Sequence, residues 1–181
     1  MQNPLQVTIS VETAFSYGGK TPNLDVKPIG DRSVLCEVDG KGHGLDFMLE
    51  TFSKYNTQAS FFIETGQSCY FGDEPMAKIV NKIKAAHQET QLMVQPAWFY
   101  SDDNGDFPLD DALVGRDVDK NKELIGKAFE TYKRLTGSVP EAIRFNDGRM
   151  EDSLYKIINE LGIQMSSTIS IERGISEGKK F

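Results

Sequence analysis

Two histidines, His43 and His87, and two cysteines, Cys36 and Cys69, are all the imidazole and thiol groups in the 181-residue sequence. None sits in a CxxC or CxxH spacing, so a zinc knuckle is not supported. The cysteines are far apart, the first residues do not read as a secretory signal, and the two are expected to be reduced thiols. Other candidates are scattered singly. Glu12 ends an apolar run and could bind a cation or a sugar hydroxyl, or pair with a loop lysine. Arg144 could hold a carboxylate or orient Asp147; a structural ion pair is the plainer reading. Trp98, Phe99 and Tyr100 could offer aromatic faces to a sugar or pin a loop to the body. Met93 and Gln95 alternate with Leu92 and Val94, which makes them pocket lining or core. Five aspartates, Asp102, Asp103, Asp106, Asp110 and Asp111, lack the spacing of a calcium loop and read as a solvated acidic segment.

The hydrophobic pattern shows what must position these residues. Residues 5–12, LQVTISVE, read as a buried strand. Residues 13–42 are polar and glycine-rich, a long loop with one short strand expected over 34–38. Leu45, Met48, Leu49, Phe52 and Tyr55 recur at helical spacing, and Asn56 ends that helix. A strand follows over 58–64. Asp73 is a candidate N-cap ahead of Pro75, and Met76, Ile79, Val80 and Ile83 form the next helical stripe. A strand over 90–95 is closed by Pro96. The clearest helix carries Leu124, Ile125, Ala128, Phe129, Tyr132 and Leu135 and stops at Gly137. A strand over 141–145, a helix with Leu154, Ile157, Ile158 and Leu161, and a strand over 163–171 complete the chain, with a polar tail at 172–181. Phe52, Phe61, Phe62 and Phe129 are expected in the core.

Strand followed by repeated helix and strand argues for parallel strands with crossover helices. The expected fold is therefore α/β, with about five mostly parallel strands and about four helices in one domain over 1–171. In such sheets ligands sit at the carboxyl ends of the strands, which gathers Glu12, Met93, Gln95, Trp98, Arg144 and Asp147 at one end. His87 falls at the other end, and His43 precedes the first helix. The net charge of −7 disfavours nucleic acid as a partner. No apolar run is long enough to span a membrane, and the cytoplasm is the expected compartment.

The strand ends also carry a resemblance. Val7-Thr8-Ile9-Ser10-Val11-Glu12, YNTQASFFIE ending at Glu64, QETQLMVQPAW ending at Trp98, PEAIRFNDG ending at Gly148, and Leu161-Gly162-Ile163-Gln164-Met165-Ser166-Ser167 resemble, in order, the motifs of the polysaccharide deacetylases of NodB homology. The resemblance implies a partial or distorted (β/α) barrel and hydrolysis of N-acetyl or related amide bonds on sugars. It also implies a divalent metal held by one Asp and two His, with a second Asp as base. In this sequence the base position falls on Ser10 and the adjacent acid on Val11. The histidine positions fall on Met93 and on Gln95, or on Ala97 in the commoner register. These are poor ligands for such an ion, so no metal or other cofactor is expected.

The family also continues with further strands, and five make an incomplete barrel with exposed edges. Three expectations result. The chain is a degenerate deacetylase-like protein that binds a saccharide or a partner in the old pocket. Alternatively it is an active hydrolase whose site is rebuilt from Glu12, Arg144, Asp147 and His43. Or it is an N-terminal part that a missing C-terminal half, or a second copy in a homodimer, completes.

Overall fold

The computed structural model describes residues 7–16, 18–21, 24–100, 113–146 and 148–168. The main sheet has five strands: β1 (Ser10–Thr13), β6 (Ser60–Glu64), β7 (Glu89–Val94), β8 (Ala142–Phe145) and β9 (Met165–Ser166). They are hydrogen-bonded in that order and all parallel. Spatial order follows chain order, so the sheet never reverses direction as a doubly wound sheet does. Each crossover returns over the same face, as in a (β/α) barrel. Helices α2 (Leu45–Lys54), α4 (Glu74–Ala85), α5 (Val118–Thr136) and α6 (Asp152–Glu160) match the four sequence stripes, and the single-turn helices α1 (Arg32–Leu35) and α3 (Ser68–Phe71) add to them.

The two faces of the sheet are packed differently. The outer face carries Phe61, Ile63, Leu92, Val94, Ile143 and Phe145. These join Ile79, Ile83, Ile125, Phe129, Leu154 and Ile157 of the helices in the main core. Among the described residues the inner face has a small buried apolar cluster, Phe62, Met93 and Ala142. Burial on both sides explains why β6 and β7 read as continuous apolar runs instead of alternating ones. Phe52 is partly buried and packs edge-on against Phe61, 6.2 Å between ring centroids. The long helix α5 begins where the Asp117 carboxylate accepts from Lys120 N at 3.1 Å. It ends at Gly137, whose φ of 72° is the left-handed cap that glycine adopts at least cost.

The region expected to be one long loop is built. It holds a hairpin of β2 (Gly19–Thr21) and β3 (Leu24–Val26), then α1, then a second hairpin of β4 (Glu37–Val38) and β5 (Lys41–Gly42). The strand expected over 34–38 is instead the end of α1 and the start of that hairpin. Its turn, Asp39-Gly40, has φ of 50° and 72°. Both central residues are left-handed, the type I′ geometry that Asp-Gly favours. Other boundaries also shift. Residues 7–9 precede β1 instead of forming it, and of the strand expected over 163–171 the described residues form only the two-residue β9. Asp73 does begin α4, but its side chain makes no cap bond there. Its carboxylate binds Arg134 of α5, with Arg134 Nη2 3.0 Å from Asp73 Oδ1.

Candidate functional site at the carboxyl ends of the strands

Arg144 organises the inner face. It lies on β8 in register with Met93 of β7, which is itself in register with Glu64 of β6. Its guanidinium sits 4.1 Å from the centre of the Phe62 ring, a cation–π contact. Nη1 approaches Glu12 Oε1 at 3.3 Å, and Nη2 donates to Ser10 Oγ at 3.0 Å, both on β1. On the other side Nη2 donates to Ser167 Oγ at 2.7 Å and Nε to the Ser167 carbonyl at 3.2 Å, just beyond β9. One side chain thus ties β1 and β9, the two outermost strands of the sheet.

That reach measures the curvature. Arg144 and Ser10 are three strands and about four register positions apart, about 19 Å on a flat sheet at ordinary strand spacing and rise. An arginine and a serine cannot bridge that distance, so the sheet is curled like part of a barrel. The side chain of Arg144 is only 15% exposed, whereas that of Glu12 is 54% exposed. The carboxylate therefore faces solvent while the guanidinium lines the inner wall.

The structure brings some of the sequence candidates together and separates others. Glu12 pairs with Arg144. Asp147, the other expected partner of Arg144, lies outside the described residues, as do the aspartates of 101–112. Met93 packs on Phe62 and Ala142 and is buried. Gln95 is buried too, and its Oε1 accepts from Trp98 Nε1 at 3.3 Å. Of the two readings of Trp98, the structure has the one that pins the turn to the body. The side chain is fully buried, with Tyr70 and Phe71 against it, and presents no face to a sugar. The turn at Pro96–Tyr100 is pinned to the body, and a Cβ at Gly66 would collide with the Phe99 ring. Phe99 is partly buried against the core. Tyr100, the most exposed of the three aromatics, has Arg116 over its ring at 4.9 Å.

Sequence reasoning passed over Glu64. Its carboxylate is fully buried at the end of β6 and accepts from Gly66 N at 2.7 Å and Gln67 N at 3.0 Å. Gln67 in turn accepts from Phe15 N at 3.0 Å through Oε1. The available signal was the pattern Glu-Thr-Gly-Gln, a carboxylate ahead of a turn whose N–H groups need acceptors. Cys69 follows in α3. Partial desolvation, and then the Glu64 carboxylate, push its thiol up from the ordinary value, so it is a poor nucleophile. Both cysteines are free thiols.

The donors at the strand ends do not fit the divalent metal of the resemblance. Ser10 is held by Arg144, Met93 is buried in hydrocarbon, and Gln95 is turned to Trp98. Among the described residues no three His, Cys, Asp or Glu side chains converge as a metal would require. Nor, among the described residues, is any helix long and apolar enough to cross a membrane.

A curled, sequentially ordered parallel sheet with one clad face defines an open (β/α) barrel. Solved structures that share this fold include family 4 carbohydrate esterases and polysaccharide deacetylases. A CE4 family pseudoenzyme from Bacillus anthracis superposes with a TM-score of 0.56 at 14% identity, over 88% of this chain and 41% of that one. A family 4 carbohydrate esterase from Streptomyces lividans, in complex with acetate, gives 0.51 at 12% identity over 88% and 60%. A peptidoglycan deacetylase from Bacillus subtilis gives 0.50 at 13% identity over 91% and 56%. The chain thus spans less than two thirds of each neighbour's length. No protein-family model and no curated protein matches the sequence.

Proposed function

We propose that this chain is a polysaccharide-deacetylase-like protein of carbohydrate metabolism that has lost metal-dependent amide hydrolysis and binds a saccharide or a partner at the strand ends. The observation that carries the reading is the fate of Arg144. Its guanidinium is engaged by Ser10, Glu12 and Ser167, two of them hydroxyls, where the resemblance would put a catalytic aspartate at position 10. A general base needs a titratable group within hydrogen-bond reach of its proton, and a serine tied to arginine supplies none. Glu12 and Arg144 are the polar contacts offered to a ligand, with Met93 packed beside them on the adjacent strand and Gln95 and Trp98 following at its end. The domain is taken as residues 1–171 and the compartment as cytoplasmic, with no cofactor.

Two measurements test this together. Purified protein is expected to hold less than one zinc per chain after dialysis and to release no acetate from N-acetylglucosamine oligomers. Chelator-sensitive acetate release by the unaltered chain would overturn the reading in favour of an active hydrolase rebuilt around Glu12, Arg144 and Asp147. The precedent for lost activity in this fold is the Bacillus anthracis pseudoenzyme, of which a mutant with restored enzymatic activity has been solved.

A second reading has its own observation. Met165 on the edge strand β9 is 57% exposed, and an edge with unpaired backbone groups invites another strand. A second copy, or a missing C-terminal half, would continue the sheet there. Sedimentation at micromolar concentration separates the two readings: a dimer supports continuation past β9, and a stable monomer removes the second copy.

A further inference from the structure

The glycine-alternating segment Gly40-Lys41-Gly42-His43-Gly44 plays no part at the strand ends, yet it is tightly built. A Cβ at Gly44 would collide with the Val34 carbonyl oxygen, and one at Gly42 would lie 2.6 Å from Asp46 Oδ2. These glycines let the β4–β5 hairpin close onto the start of α2, with the backbone held by His43 N to the Cys36 carbonyl at 3.1 Å and Gly44 N to the Leu35 carbonyl at 3.0 Å. Between hairpin, α2 and α4 lies a concavity of about 740 Å³ lined by Lys41, His43, Asp46, Phe47, Glu50 and Lys82. That is the size range of small-ligand sites. It lies on the helix side of the sheet, away from Glu12 and Arg144.

Its lining selects a chemistry. Lys82 Nζ bonds Asp46 Oδ1 at 2.8 Å, so that pair is neutralised internally. Lys41 and Glu50 balance each other in formal charge, and no net cation is left to favour a phosphate. What remains is a mixture of donors and acceptors around Phe47, which is 63% exposed. An aromatic ring left in water beside mixed polar groups suits a ligand with apolar C–H faces and many hydroxyls. We infer that the concavity framed by Lys41, His43, Asp46, Phe47, Glu50 and Lys82 is a binding site for a neutral oligosaccharide, separate from the strand-end site and independent of whether that site is active.

The test uses the full chain titrated with the N-acetylglucosamine tetramer and with xylotetraose, followed by calorimetry and by amide shifts in NMR. At least one probe is expected to bind at millimolar concentration or tighter, shifting the amides of 40–47. Phe47→Ala is expected to weaken it at least tenfold, and the exposed control Tyr155→Ala to leave it within twofold. Phe47 is on the surface, so unchanged amide dispersion verifies that the variant stays folded. No binding by either probe overturns the inference. So does binding that survives Phe47→Ala with shifts at Glu12 and Arg144, a result that would uphold the strand-end reading instead. Displacement of the tetramer by inorganic phosphate would make this an anion site and overturn it as well.

Discussion

The outer and inner faces of the sheet divide the labour of this fold. The outer face is a continuous hydrocarbon core clad by helices, and its residues touch many others that are themselves buried. The inner face has, among the described residues, a cluster of three buried apolar side chains and a polar tie, Arg144. Neighbouring residues of β6 show the contrast at its sharpest. Phe61 and Phe62 are both buried, but one points into the helices and the other beneath a guanidinium. Hydrophobic burial fixes the layers, and the charged side chain fixes the curl.

Substitution can break that division in order of size. Phe61→Ala is expected to cost about 3–5 kcal/mol, because the surrounding helices cannot collapse into the cavity. Phe62→Ala removes the same volume but leaves a site that Arg144 can settle into, so about 2–3 kcal/mol is expected. Chemical denaturation of the two variants compares them directly, and equal losses would mean the inner face is packed as tightly as the outer. Arg144→Ala strips four hydrogen bonds, one of them charge-paired, and is expected to cost about 2 kcal/mol. The readout specific to the curl is a change at β1, seen as faster hydrogen exchange of residues 10–13 with β7 unaffected.

The smallest effect sharpens the comparison at the surface of the clad side. The hydrogen bonds from Arg134 hold the Asp73 carboxyl below its ordinary value. A depressed carboxylate contributes stability above its unfolded pKa and loses it as pH falls through the folded one. Both partners are substantially exposed, so Asp73→Asn is expected to cost only about 0.5 kcal/mol near neutral pH. The difference from the unaltered chain should vanish below the ordinary carboxylate range. Urea unfolding of both proteins across that range checks it.

The regular parts of this architecture were legible because their signals are periodic. The stripes of α2, α4, α5 and α6, and the buried runs of β6 and β7, appear in the structure within a few residues of where hydrophobicity places them. Short elements were less legible. The Asp39-Gly40 pair is a strong hairpin signal, but strands of two residues leave almost no pattern around it. The meeting of Glu12 with Arg144 followed from topology alone. The pairing of Arg144 with Ser10 and Ser167 did not, since it depends on how sharply the sheet curls, a quantity that no local window encodes. Trp98 was ambiguous for a related reason. An aromatic triplet after a strand looks the same whether it faces water or Tyr70 and Phe71.

The tie at Arg144 also bears on the order in which the chain folds. Its contacts with Ser10 and Glu12 span 134 and 132 residues, while those with Ser167 span 23. Contacts that close so long a loop form only when the intervening strands are already paired. The tie therefore belongs to the last stage of assembly. Removing it should quicken unfolding while leaving the refolding rate nearly unchanged, because interactions absent from the transition state act on escape from the native basin. A single guanidinium that contributes nothing to reaching the fold would then govern how long the sheet keeps its curl.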